Sequence, residues 1–139
     1  MIEFHFESEF VLEDKTKYSD WITRVVETES FSVGQLDYVF CSDSYLLNIN
    51  QKYLNHDTFT DIITFDYSNE KTLSGDIFIS TERVMDNAET YKASREDELL
   101  RVMSHGLLHL MGFKDKSEDE RSVMRAKEAE KIKLFHVEH

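Results

Sequence analysis

His105 and His109 stand four residues apart in the run Ser104-His105-Gly106-Leu107-Leu108-His109-Leu110-Met111-Gly112-Phe113-Lys114-Asp115. On a helix, side chains at that spacing share a face, with Cβ atoms about 5–6 Å apart. Two imidazoles so placed can reach one metal ion from the same side. Gly112 suits a helix end where a left-handed residue reverses the chain, and the reversal can bring Asp115 back as a third donor. Three protein donors and an open fourth position make a catalytic rather than a structural zinc centre. The competing reading is a pair of histidines on an ordinary helix, since a bare H-x-x-x-H pattern is common. Gly106 weighs against it, because a mid-helix glycine costs about 1 kcal/mol relative to alanine and so points to close approach of another backbone or a ligand. A structural metal would need a fourth protein ligand such as His136 or His139, but these C-terminal histidines suit a frayed, solvated tail better.

The elements that must position this segment follow from apolar spacing. Ile2, Phe4 and Phe6 alternate with Glu3, His5 and Glu7, the period of a half-buried strand. Asp14 precedes Tyr18, Trp21, Ile22, Val25 and Val26, one stripe of a helix. Gly34 marks a turn before a strand over 36–41, and a helix over 44–54 places Leu46, Ile49 and Tyr53 on one side. Residues 61–65 and 75–80 read as strands dense in Ile and Phe. Ser80-Thr81 starts a helical segment with Val84, Met85, Ala88 and Tyr91, and Ser94 with Asp97 resembles a capping box for a helix ending near Met111. Ser117 with Glu120 opens a last helix bearing Val123, Met124, Ala129, Ile132 and Phe135. Strands come early and helices late, with no proline and no linker, which predicts one α+β domain over 1–139, with about four strands in a mixed sheet and about five helices. Phe4, Phe6, Trp21, Phe65, Phe78 and Cys41 are read as core.

Composition bounds the rest. A chain of 139 residues, 40% apolar with mean hydropathy −0.49, can build one core. No apolar run approaches the roughly 18–20 residues needed to cross a bilayer, and the alternating acidic start is unlike a secretory signal. One cysteine excludes an internal disulfide and suits a reducing cytoplasm, so the expected location is cytoplasmic. Net charge is −12, from 16 basic and 28 acidic side chains. Residues 1–70 hold 4 basic and 14 acidic groups for −10; residues 71–139 hold 12 and 14 for −2. Nucleic-acid binders are usually basic, so contact with RNA would fall to a local patch in the second half. Lys114 and Lys116 flank Asp115 and can meet phosphate, although exposed lysines usually meet only water. Asp61 and Asp76 can line a cleft, although aspartates beside strands more often solvate them.

The motif His105-Gly106-Leu107-Leu108-His109-Leu110-Met111-Gly112-Phe113 closely resembles the signature of the bacterial YbeY family of metal-dependent endoribonucleases, also described as rRNA maturation factors. Residues 50–65, the run Gly75-Asp76-Ile77-Phe78-Ile79-Ser80, and residues 94–100 match further blocks of that family in the same order, over roughly residues 35 to 125. The resemblance implies a zincin-like α+β fold with Zn2+ held by His105, His109 and, where the family usually has histidine, Asp115. It also implies a single-strand endoribonuclease in maturation of the small-subunit rRNA 3′ end and in ribosome quality control. Partners would then be rRNA and the ribosomal small subunit, with no membrane. The sequence departs from the family at Leu54, where an arginine implicated in RNA function often follows the equivalent of Tyr53, and at Phe59, where many members have proline.

The chemistry implied is attack of metal-activated water on a phosphodiester. No general base is identified: Gly106 stands where an H-E-x-x-H peptidase carries glutamate. Nickel or another divalent ion is an alternative to zinc at a His/His/Asp site. The rival function is a weakly catalytic or non-catalytic ribosome-assembly factor binding RNA or a ribosomal protein, which the −12 charge and Leu54 favour. The open three-donor site favours the hydrolase.

Overall fold

Alternating residues at the chain start form β1 (Ile2–Phe6), whose apolar side chains are half-buried and whose polar ones face water. The computed structural model describes residues 1–54 and 60–137, the side chain of Leu54 excepted. Phe59 and His139 lie outside the described residues. The elements continue as α1 (Lys15–Thr28), β2 (Ser32–Cys41), α2 (Asp43–Leu54), β3 (Ile62–Asp66), β4 (Thr72–Ser80), α3 (Thr81–Thr90), α4 (Arg95–Leu110) and α5 (Glu118–His136). The four strands order as β1-β2-β4-β3, with β1, β2 and β4 parallel and β3 antiparallel to β4. The expected mixed α+β sheet is therefore present. Among the described residues, no helix is long and apolar enough to cross a membrane.

One face of the sheet carries the main core. Leu36, Tyr38 and Phe40 of β2 and Ile77 and Ile79 of β4 are buried there beside Trp21, Ile22 and Val25 of α1 and Leu100, Met103 and Leu107 of α4. The Trp21 indole N–H donates to the Lys131 carbonyl at 2.7 Å and ties α1 to α5. On the opposite face α2 covers a smaller cluster of Cys41, Leu46 and Ile63, with Phe65 and Phe78 partly buried against it.

Helix starts follow the capping residues. The Asp14 carboxylate accepts from the Lys17 amide at 3.2 Å, and Ser117 with Glu120 forms a reciprocal capping box. Ser94 accepts from the Asp97 amide at 3.0 Å, so α4 has the hydroxyl half of the expected box.

Several expectations need correction. Gly34 lies inside β2, where the register shifts between Val33 and Leu36; a Cβ there would meet Ser74 Oγ at 2.2 Å, so the glycine serves close strand approach rather than a turn. Val123 and Ala129 of α5 and Tyr91 after α3 are exposed. The buried stripe of α5 is Met124, Glu128, Lys131 and Phe135. Polar side chains thus occupy two core-facing positions, which an apolar pattern cannot show. Met85 and Tyr53 are also exposed, at the rims of α3 and α2.

Candidate metal centre

Helix α4 is held against the sheet at Gly106. A Cβ there would meet Ile62 Cδ1 at 2.9 Å and Ile77 Cγ2 at 3.0 Å. The close approach expected at this glycine is therefore to strand side chains, not to a backbone or a ligand. With Gly106 turned to the sheet, Arg101, His105 and His109 fall on another side of α4. They are its half-buried residues amid the buried run from Glu98 to Leu110. The helix ends at a Schellman turn: the Phe113 amide donates to the Leu108 carbonyl and the Gly112 amide to the His109 carbonyl, each at 3.0 Å. Gly112 has φ +99° and open space around its missing Cβ, so the requirement is conformational.

That reversal returns Asp115 to the histidines. His105 Nε2 lies 3.0 Å from His109 Nε2, and Asp115 Oδ2 lies 3.3 Å from each nitrogen. The two rings meet nearly edge to face, at 77°. A tetrahedral zinc at about 2.0–2.2 Å from its ligands separates them by about 3.3–3.6 Å. The three atoms therefore stand close to one face of such a tetrahedron, and the donor set fits zinc or another divalent ion. Among the described residues this is one of three His and carboxylate groupings compact enough for a metal.

Glu128 was not legible as a site residue. It is 4% exposed, and its Oε2 lies 2.5 Å from His105 Nδ1. Arg101 joins the same group: Nη2 reaches Glu98 Oε2 at 2.7 Å and Asp61 Oδ2 at 3.5 Å, and Nη1 lies 3.7 Å from Glu128 Oε1. Burial works against a charge on His105, but the Glu128 hydrogen bond and the charges of Glu128, Asp115 and Asp61 outweigh it, so its pKa lies above the usual imidazole value. No apolar pattern marks Glu128; its inward place beside Met124 and Phe135 emerges only when α5 packs on α4.

Other expected positions sort differently. Asp61 stands behind the triad on Arg101. Asp76 points to the other face, where burial and the Asp37 charge raise its pKa against the opposing Tyr67 hydrogen bond and His5; it does not line this centre. Lys114 and Lys116 are exposed on either side of Asp115. His136 closes α5 and pairs with Asp97 at 2.6 Å, so it is neither a fourth ligand nor part of a free tail.

Comparison with known proteins agrees with this frame. A solution structure of a Thermotoga maritima protein superposes with a TM-score of 0.68 over 97% of this chain and 89% of that one, at 23% identity, a likeness of fold. "Endoribonuclease YbeY" of Flavobacterium psychrophilum is 53% identical over 99% of this chain and 98% of its own. The protein of that name from Flavobacterium johnsoniae is 51% identical over 99% of both chains. The family model described as Endoribonuclease YbeY matches residues 3–136, and this chain belongs to that family.

Proposed function

We propose that this chain is a zinc-dependent endoribonuclease that cleaves single-stranded RNA in maturation of the small-subunit rRNA 3′ end and in ribosome quality control, with the ribosomal small subunit as partner. The observation that carries the metal reading is the convergence of His105 Nε2, His109 Nε2 and Asp115 Oδ2 at 3.0–3.3 Å. Family membership supports RNA as the substrate.

A divalent ion held there supplies a Lewis acid for a phosphoryl oxygen and acidifies water. The chain's own residues shape the rest. His105 and His109 present their Nε2 atoms from one helix face, and the Gly112 turn presents a carboxylate oxygen from outside it. The three side chains are 16–35% exposed, so the donor face is partly open to solvent. Gly106 projects no side chain, and its position is filled by Ile62 and Ile77, so no base sits where a zinc peptidase has one. That separates this centre from ordinary proteolysis.

The test is metal content of purified protein, wild type against His109→Ala and Asp115→Ala, followed by cleavage and binding of an unstructured RNA with and without chelator. One zinc per chain, lost in both variants, with cleavage abolished by chelator, is expected. A wild type that takes up no zinc sinks the metal mechanism. Metal-independent RNA binding without cleavage would favour the assembly-factor reading.

A further inference from the structure

We infer that Glu128 is the positioning residue of the centre: its carboxylate, braced by Arg101, holds His105 as the Nδ1–H tautomer and so aims the Nε2 lone pair at the point where His109 and Asp115 converge. The inference rests on the metal-centre reading and concerns what orients the first donor.

The direction of this contact is what the inference assigns. Because a carboxylate facing a guanidinium accepts hydrogen bonds, the inference assigns the proton of the 2.5 Å contact with Glu128 Oε2 to His105 Nδ1. A neutral ring with its proton there has its lone pair on Nε2, the atom 3.0 Å from His109 Nε2 and 3.3 Å from Asp115 Oδ2. Paired carboxylates of this kind fix the tautomer and ring orientation of metal-binding histidines.

The carboxylate is itself fixed. Glu128 is 4% exposed on the inward stripe of α5, with Met124 and Lys131 as buried neighbours along it. Its second oxygen faces Arg101 Nη1 at 3.7 Å, and Arg101 is clamped by Glu98 through contacts of 2.7 and 3.1 Å. Among the described residues His109 has no comparable partner: its contacts run through Nε2 alone. The centre therefore has one histidine braced at Nδ1, held from a different helix 23 residues further on, and one held through Nε2.

Glu128→Gln keeps the shape but lets an amide either donate to or accept from Nδ1, so it removes the bias between tautomers. Two measurements decide the matter. Zinc affinity by competition with a chelating dye is expected to fall on the order of 10–100-fold in E128Q. Long-range 1H–15N spectra of the metal-free protein, recorded in alkaline buffer where the ring is neutral, are expected to show His105 as Nδ1–H in the wild type and as a mixture in E128Q. A purely structural tie between α4 and α5 would change the melting temperature without moving the tautomer. Unchanged affinity and tautomer in a folded E128Q overturn the inference, as does an Nε2–H ring in the wild type. Should E128Q not fold, the wild-type spectrum alone decides. A wild type that binds no zinc overturns the centre and the inference together, and the wild-type affinity distinguishes that outcome from failure of the Glu128 role alone.

Discussion

Arg101→Met tests whether the charges behind the centre behave as one buried unit. The guanidinium holds Glu98 through Nε at 3.1 Å to each carboxylate oxygen and through Nη2 at 2.7 Å, and faces Glu128 Oε1 at 3.7 Å. Glu98 and Glu128 are each 4% exposed, so a methionine in place of Arg101 leaves two carboxylates with little water. Breaking a buried pair by removing one partner costs about 3–5 kcal/mol. The Arg101 side chain is 32% exposed, so water can follow it in part and the lower end applies. The expected loss is about 3 kcal/mol, or about 10 °C in melting temperature for a domain of this size. Urea unfolding followed by the fluorescence of Trp21, the chain's one tryptophan and 1% exposed, measures it. Adding Glu98→Leu should recover at least about 1.5 kcal/mol, since an apolar residue tolerates the site an orphaned carboxylate does not. Recovery stays partial because Glu128 still meets His105 and loses its brace. A loss under about 0.5 kcal/mol in R101M, the level of an ordinary surface substitution, would refute the reasoning.

Other expectations follow from the same packing. Gly106→Ala sets a helix gain of about 1 kcal/mol against an overpacking cost of about 1–3 kcal/mol. Because Ile77 Cγ2 at 3.0 Å belongs to a β-branched residue of an interior strand, packing wins, and urea unfolding should show net destabilisation; a stabilised variant refutes this. Burial, then the charges of Glu7 and Asp43, push the Cys41 thiol up to about 12, so it should resist a disulfide reagent in native protein and react at once in urea. Burial opposes the charge on Glu29, but hydrogen bonds from Lys127 and Lys131 outweigh it and hold its pKa below the usual value. Its contribution to stability is present above the unfolded carboxyl range, about 4.3, and is lost as pH falls through the lower folded value. Glu29→Gln should therefore be less stable than wild type at neutral pH, with the gap closing in acid; a gap constant across that range refutes the ion-pair account.

What the sequence made legible is whatever a local rule governs. The pair His105 and His109 follows from helical spacing, and Asp115 from a glycine stop that the structure shows at φ +99°. The sheet strands follow from alternation and from runs of Ile and Phe. Glu128 escaped because α5 is crowded with acids: Glu118, Asp119, Glu120, Glu128 and Glu130 look alike one by one. What distinguishes Glu128 is that it faces inward, and inwardness is decided by α4, an element brought beside it by the tertiary fold. Lys131, fully buried and bonded to Thr28 and Glu29, escaped for the same reason. Apolar periodicity finds a core only where the core is apolar.

The same buried charges bear on how a chain of net charge −12 can handle RNA. Around the triad, Asp61, Glu98 and Glu128 face one guanidinium, Arg101, while Asp115 meets the Nε2 atoms of the two histidines, so acidic side chains outnumber the guanidinium among them. A phosphodiester meets repulsion at such a spot, and Lys114 and Lys116, exposed beside Asp115, only partly offset it through water. A divalent cation on the three donors would offset that excess, so its charge would matter for substrate approach as well as for chemistry. On that reasoning, if a cation occupies the three donors, RNA binding as well as cleavage is expected to weaken on chelation, and a binding titration with and without chelator checks it; RNA binding of equal strength in both would refute the electrostatic argument.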